Sequence, residues 1–114
     1  PRVNADGNET AGIVSPMLAV PLGTYLGWNA TAKGFEAGNF CSTQGGFIPF
    51  AATKAERIAR GDPRPSLEER YGTRADYLAR LKAAADRLVA ERYMLAEDAA
   101  LTLKRAQEAK LPLP

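Results

Sequence analysis

No histidine occurs among the 114 residues, and cysteine occurs once, at Cys41. Without an imidazole, neither a Ser-His-Asp nor a Cys-His site can be assembled from this chain alone, because the hydroxyl or thiol lacks its usual base. One cysteine and no histidine also exclude a zinc site of nitrogen and sulfur ligands, which takes three or four donors. A lone cysteine forms no internal disulfide, so the redox compartment stays open. No metal or cofactor is expected, and chemistry within the chain is left to carboxylates, Lys, Tyr and Ser.

Long apolar runs are missing as well. The longest, residues 17–20 between Pro16 and Pro21, falls far below the ~20 residues of a transmembrane helix, so no membrane span is expected. The beginning, Pro1-Arg2-Val3-Asn4, has neither an initiator Met nor an apolar signal core and reads as an excised or processed start. Charge of one sign is also scarce. Lys and Arg total 15 against 13 Asp and Glu. Residues 1–50 hold two basic and three acidic groups, and residues 51–114 hold 13 basic and 10 acidic ones. The signs interleave, as in Glu68-Glu69-Arg70 and Asp86-Arg87. That pattern is a solvated helix surface, and no nucleic-acid partner is expected.

What is present divides the chain in two. Eight of the ten glycines lie within the first 46 residues, which excludes a helical first half. Asp6-Gly7 predicts a tight hairpin between residues 3–5 and 8–10. Residues 17–20 read as a short strand, and 23–46 as irregular, with Tyr25, Trp28, Phe35 and Phe40 set among the glycines. The second half carries helix punctuation. Thr53 with Glu56, Ser66 with Glu69 and Thr73 with Asp76 each set a hydroxyl three residues before a carboxylate, the spacing of a capping box. Helices are expected at about 53–60, 66–71, 73–93 and 96–110, with Gly61, Gly72 and Pro112 as stops. Tyr77, Leu78, Leu81, Ala84, Ala85, Leu88 and Val89 repeat at helical spacing and predict one buried face; in the last helix Ala99, Ala100, Leu103 and Ala106 form a weaker stripe. The expected fold is an α+β fragment. A glycine-rich loop and short-hairpin half, residues 1–50, precedes three to four helices in residues 51–114 that end in an antiparallel pair, the two halves forming one partial domain.

Several ordered strings carry a family resemblance: residues 21–29 (PLGTYLGWN), Cys41, residues 46–51 (GFIPFA), residues 54–57 (KAER) and residues 61–72 (GDPRPSLEERYG), with the opening PRVNADGNE leading into them. Over nearly its whole length the chain resembles the C-terminal portion of the large bacterial alpha/beta hydrolase domain-containing proteins. The resemblance implies a parent chain several times longer, with a nucleophilic serine in a Gly-x-Ser-x-Gly elbow upstream. The remainder of that chain is then the principal partner. Neither the elbow nor a histidine occurs here, so the resemblance places no catalytic role on any numbered residue.

Individual candidates remain. Tyr25, Trp28 and Asn29 present aromatic walls and an amide for substrate contact, although a Trp anchoring a loop to a core is the commoner arrangement. Ser42, before Thr43-Gln44-Gly45-Gly46, invites an oxyanion-loop reading, yet has no base and suits a structural turn better. Arg64, in Asp62-Pro63-Arg64, is a candidate anion clamp; its plainer reading is a fixed helix connection with a surface ion pair worth under about 1 kcal/mol. Glu68 and Glu69 point about 100° apart on a helix and make a poor acid/base pair. The leading functional expectation is a section of an ester-cleaving α/β-hydrolase, structural or pocket-lining. The alternative is a non-catalytic protein-binding or assembly module that docks, or self-associates, through its aromatic glycine-rich half. A small carboxylate enzyme acting alone comes third.

Overall fold

A computed structural model describes residues 3–8, 10, 12, 14–25 and 46–114. Trp28, Asn29, Cys41 and Ser42 lie outside the described residues. In chain order the described elements are α1 (Pro16–Ala19), β1 (Gly23–Tyr25), β2 (Phe47–Pro49), α2 (Lys54–Arg60), α3 (Leu67–Arg70), α4 (Arg74–Ala90) and α5 (Ala96–Glu108). The molecule is thus α+β, with one two-stranded antiparallel sheet among the described residues.

The helical half follows its punctuation. Thr53 accepts from the Glu56 N–H at the start of α2, and Gly61 ends that helix at φ 70°, a left-handed position that costs glycine nothing. Ser66 and Glu69 form a complete capping box on α3. Thr73 accepts from the Asp76 N–H on α4, which buries Tyr77, Leu81 and Ala85. This helix stops about three residues before the expected end. Arg92 takes φ 66°, the Arg92 N–H donates to Val89 O and the Tyr93 N–H to Leu88 O, which is a Schellman closure without the glycine that usually announces it. A five-residue connection then returns the chain as α5. The pair is antiparallel: Arg74, at the start of α4, donates through Nη1 to Ala109 O at 2.8 Å and through Nη2 to Gln107 O, both at the far end of α5. Ala99 and Ala106 are buried in this packing, while Ala100, expected on the same stripe, is exposed.

The first half departs from expectation in one place. Residues 17–20 are not a strand: Pro16 to Ala19 form a helical turn with Ser15 as N-cap. Pro16 at the first helical position has its φ already set, and Pro21 prevents continuation. Asp6-Gly7 does turn the chain, with Gly7 at φ 80°; the Gly7 N–H donates to Asn4 O at 2.9 Å and the Asn4 N–H reaches across the turn to Asn8 O at 2.8 Å. Asn4 Oδ1 also accepts from the Asp6 and Asn8 N–H groups, both at 3.0 Å, which braces the turn from within.

The strand pairing falls inside the glycine-rich region. Gly23 opposes Pro49, Thr24 opposes Ile48 and Tyr25 opposes Phe47, and the Phe50 N–H extends the ladder to Leu22 O at 3.0 Å. Gly23 is required by close approach, since a Cβ there would lie 2.5 Å from Ile48 O and 2.7 Å from Pro49 Cα. The core draws on both halves: Met17, Val20, Leu22, Tyr25, Phe47 and Phe50 meet Leu67, Tyr71, Tyr77, Leu81 and Ala106. Among the described residues no helix is long and apolar enough to cross a membrane.

Candidate functional site

Of the residues nominated for substrate contact, the structure describes Tyr25 and Arg64, and it places them on one polar brace around the sheet. Tyr25 is buried in β1 with its ring 4.7 Å from that of Phe47. Burial pushes its hydroxyl well above the ordinary tyrosine pKa, so it is a neutral phenol and not a phenolate base. Its N–H donates to Asn8 Oδ1 at 2.7 Å, and Asn8 Nδ2 donates to Gly23 O at 3.0 Å. The fully buried Asn8 amide therefore closes the open edge of β1 much as a third strand's peptide group would.

Arg64 holds the opposite side. Its Nε and Nη2 grip Asp62 Oδ1 and Oδ2 at 3.0 and 2.8 Å. Nη1 donates to Thr24 Oγ1 at 2.8 Å and to Ile48 O at 2.9 Å, and Nη2 reaches Pro49 O at 3.1 Å. Each of the five N–H donors of the guanidinium thus has a partner within the chain. The Asp62 pair is not the exposed surface contact its sequence suggested, for the two side chains are only 15% and 11% exposed. The Arg64 hydrogen bonds hold the Asp62 carboxyl down at about 2, against the loss of hydration that opposes them. Asp62 Oδ1 also accepts from the Arg64 N–H across Pro63 at 2.9 Å, which sets the fork's direction.

Thr24 links this fork to a second one. Its hydroxyl accepts from Arg64 and donates to Asp6 O, and the Asp6 carboxylate is held by Arg70 through Nη1 at 2.9 Å and Nη2 at 2.6 Å. That bidentate grip keeps Asp6 below the usual carboxylate range. Phe50 lies under both guanidinium groups, with the Arg70 Cζ 3.5 Å and the Arg64 Cζ 5.1 Å from its ring centroid, where the ring face attracts the cations. Asn8, Thr24, Asp6 and Arg70 were not nominated as site residues from the sequence. Asp6 and Arg70 stand 64 residues apart, and no local signal joins them.

The neighbouring carboxylates Glu68 and Glu69 serve different ends. Glu68 Oε1 accepts from the Lys54 N–H at the start of α2, whereas Glu69 takes Arg57 at 2.6 and 2.9 Å and the Ser66 N–H at 2.8 Å. Those bonds, Arg57 first, lower Glu69 to about 2, so neither geometry nor acidity makes the two a general acid/base couple. Two open clefts lie elsewhere, near the α4–α5 connection. One of about 440 Å³ is lined by Val89, Arg92, Tyr93, Met94, Leu95, Ala96 and Asp98. The other, about 380 Å³, runs from Val14 and Ala19 to Leu88 and Tyr93. Neither contains a nominated residue. Among the described residues no group of three or more His, Cys, Asp or Glu side chains is arranged to hold a metal ion.

Comparison with known proteins agrees with the resemblance. Residues 1–104 match the family model described as alpha/beta hydrolase domain, and the chain belongs to that family. No curated protein and no solved structure matches the chain.

Proposed function

We infer that this chain is one section of a larger serine hydrolase of the α/β-hydrolase type acting on carboxylic esters, and that it contributes packing and one wall of the substrate pocket. The observation that carries this reading is the family match over residues 1–104 in a sequence with no histidine. A hydrolase of this class moves protons through an imidazole, so the imidazole and the attacking hydroxyl belong to the rest of the protein. Residues 1–50 and 51–114 act together as one partial domain, with the brace around the sheet joining them. Tyr25, Trp28 and Asn29 are the substrate-contact residues of this reading. The arrangement around Arg64 favours a supporting role over a direct grip on an anion, because its donors are already engaged.

The test is to read the coding frame around this segment and express its whole product. A Gly-x-Ser-x-Gly elbow and a histidine upstream, with cleavage of p-nitrophenyl butyrate that Trp28→Ala weakens, support the reading. A whole product lacking both groups ends it.

A non-catalytic assembly module is the second reading, and the exposed apolar side chains Tyr93 and Leu95 at the α4–α5 turn favour it, both at least 60% accessible. In that reading the chain self-associates or docks on a partner. Light scattering that finds a dimer, dispersed by Leu95→Glu, supports it; a monomer across a wide concentration range removes it.

A further inference from the structure

Asp6-Gly7 is the sole place in the sequence where an Asp or Asn precedes glycine. At such a pair the glycine amide nitrogen has no side chain beside it and can attack the carboxyl carbon of the Asp. The C–N bond that forms closes a succinimide ring, while the amide proton and the carboxyl hydroxyl leave together as water. Water then adds back at either ring carbonyl. Opening at one restores Asp; opening at the other gives isoaspartate, in which the main chain runs through the former side-chain methylene. No oxidant or cofactor takes part, and the mass returns to its starting value.

The fold restrains both partners of this reaction. The Gly7 N–H donates to Asn4 O at 2.9 Å, in a turn that sets Gly7 at φ 80°. The Asp6 carboxylate is gripped by Arg70 through Nη1 at 2.9 Å and Nη2 at 2.6 Å, a bidentate, charge-assisted pair whose side chains are 14% and 17% exposed. Ring closure needs a neutral carboxyl with a hydroxyl to lose, free to swing toward the Gly7 nitrogen. The fork opposes both conditions, since it pins the oxygens and its hydrogen bonds favour the ionised form. Arg70 is itself fixed, by Pro65 O at 2.8 Å from Nε and by the Phe50 ring under its Cζ.

We propose that Asp6 is a modification site, a latent isoaspartate, and that the Arg70 fork keeps it closed in the folded chain. Conversion adds one carbon to the main chain and relocates the carboxylate. It therefore breaks the Arg70 grip and the bond from the Thr24 hydroxyl to Asp6 O, and it loosens the turn that carries Asn8 to the edge of β1. The chemistry stands apart from the hydrolase reading.

Isoaspartate is counted by enzymatic transfer of a labelled methyl group from S-adenosylmethionine with protein isoaspartate methyltransferase, and placed by peptide mapping, where it shifts retention at equal mass. The 114-residue chain, Arg70→Met, Arg70→Lys and the chain unfolded in guanidinium chloride are aged side by side at neutral pH, with far-UV circular dichroism recording helix in the samples without denaturant. The folded chain is expected to form isoaspartate at residue 6 about ten-fold more slowly than the unfolded one, because reaction waits on local opening of the turn. Arg70→Met is expected to react about five-fold faster than the parent chain at unchanged helix content, since opening no longer has to break the fork. Arg70→Lys falls between, a point charge replacing a planar fork. Asp6→Glu in the Arg70→Met background removes the signal and so assigns it to residue 6. A folded chain that isomerises as fast as the unfolded one overturns the proposal. So does a folded Arg70 variant with no gain over the parent, and so does loss of helix in both Arg70 variants, which makes the fork a global support and not a local guard.

Discussion

Tyr71 and Tyr77 meet edge to face with ring centroids 5.2 Å apart, yet their hydroxyls differ. The Tyr71 hydroxyl donates to Pro21 O at 2.6 Å, which ties α3's end to the segment before β1, and burial pushes its pKa up to about 12. The Tyr77 hydroxyl is buried with no hydrogen-bond partner among the described residues. Tyr71→Phe is therefore expected to lower stability by about 1–2 kcal/mol, leaving a buried carbonyl unpaired, while Tyr77→Phe leaves stability unchanged or raises it. Urea denaturation of the two variants checks this, and an equal loss in both contradicts it. Gly23 is a second diagnostic position. Its substitution by Ala drives a methyl into the β2 backbone and should cost about 1–3 kcal/mol, whereas Gly12→Ala meets no neighbouring atom among the described residues and there feels its positive φ.

At the scale of elements, Arg92 holds a left-handed conformation that an L-residue adopts at a cost of roughly 1–2 kcal/mol. Arg92→Gly is expected to stabilise the chain by about 0.5–1 kcal/mol after the greater freedom of glycine in the unfolded state is set against that relief. Ser66→Ala removes one arm of the α3 capping box and should cost about 1 kcal/mol. Thermal melts followed by circular dichroism test both, and opposite signs are required. The starts of α2, α3 and α4 were legible because a cap is local: a hydroxyl, two intervening residues and an acidic residue suffice. The end of α4 was not, because Arg92 carries no sequence mark of its conformation. Residues 17–20 were misread because a four-residue apolar run has no period, and only Pro16 at the first helical position decides it. The β1–β2 pairing escaped for a different reason. It joins strands separated by more than twenty residues, and it depends on an asparagine, a threonine and two arginines whose partners lie elsewhere in the chain. The candidate site was legible only in part, since Asp62-Pro63-Arg64 showed a charge pair but not the strands it holds.

Across the described residues, arginines hold three carboxylates below the ordinary carboxylate range: Asp6 by Arg70, Asp62 by Arg64 and Glu69 by Arg57. Each folded-state pKa is depressed, so the stability these groups lend is complete above the ordinary carboxylate values near 4 and is lost as pH falls toward about 2, where Asp62 and Glu69 take up protons. Melting temperature is expected to be flat from pH 7 to 5 and to fall steeply between pH 4.5 and 2, with Asp62→Asn flattening that limb; an unchanged limb in the variant contradicts the assignment. The sheet and helices form one core, and the chain holds no histidine for the Ser-His-Asp machinery of the hydrolase proposed above. The most direct test of that division is hydrolysis of p-nitrophenyl butyrate by the purified 114 residues beside the complete product of the same reading frame. No turnover by the 114 residues, with serine-dependent turnover by the complete product, is the predicted result; unaided ester cleavage by the 114 residues alone is the result that contradicts it.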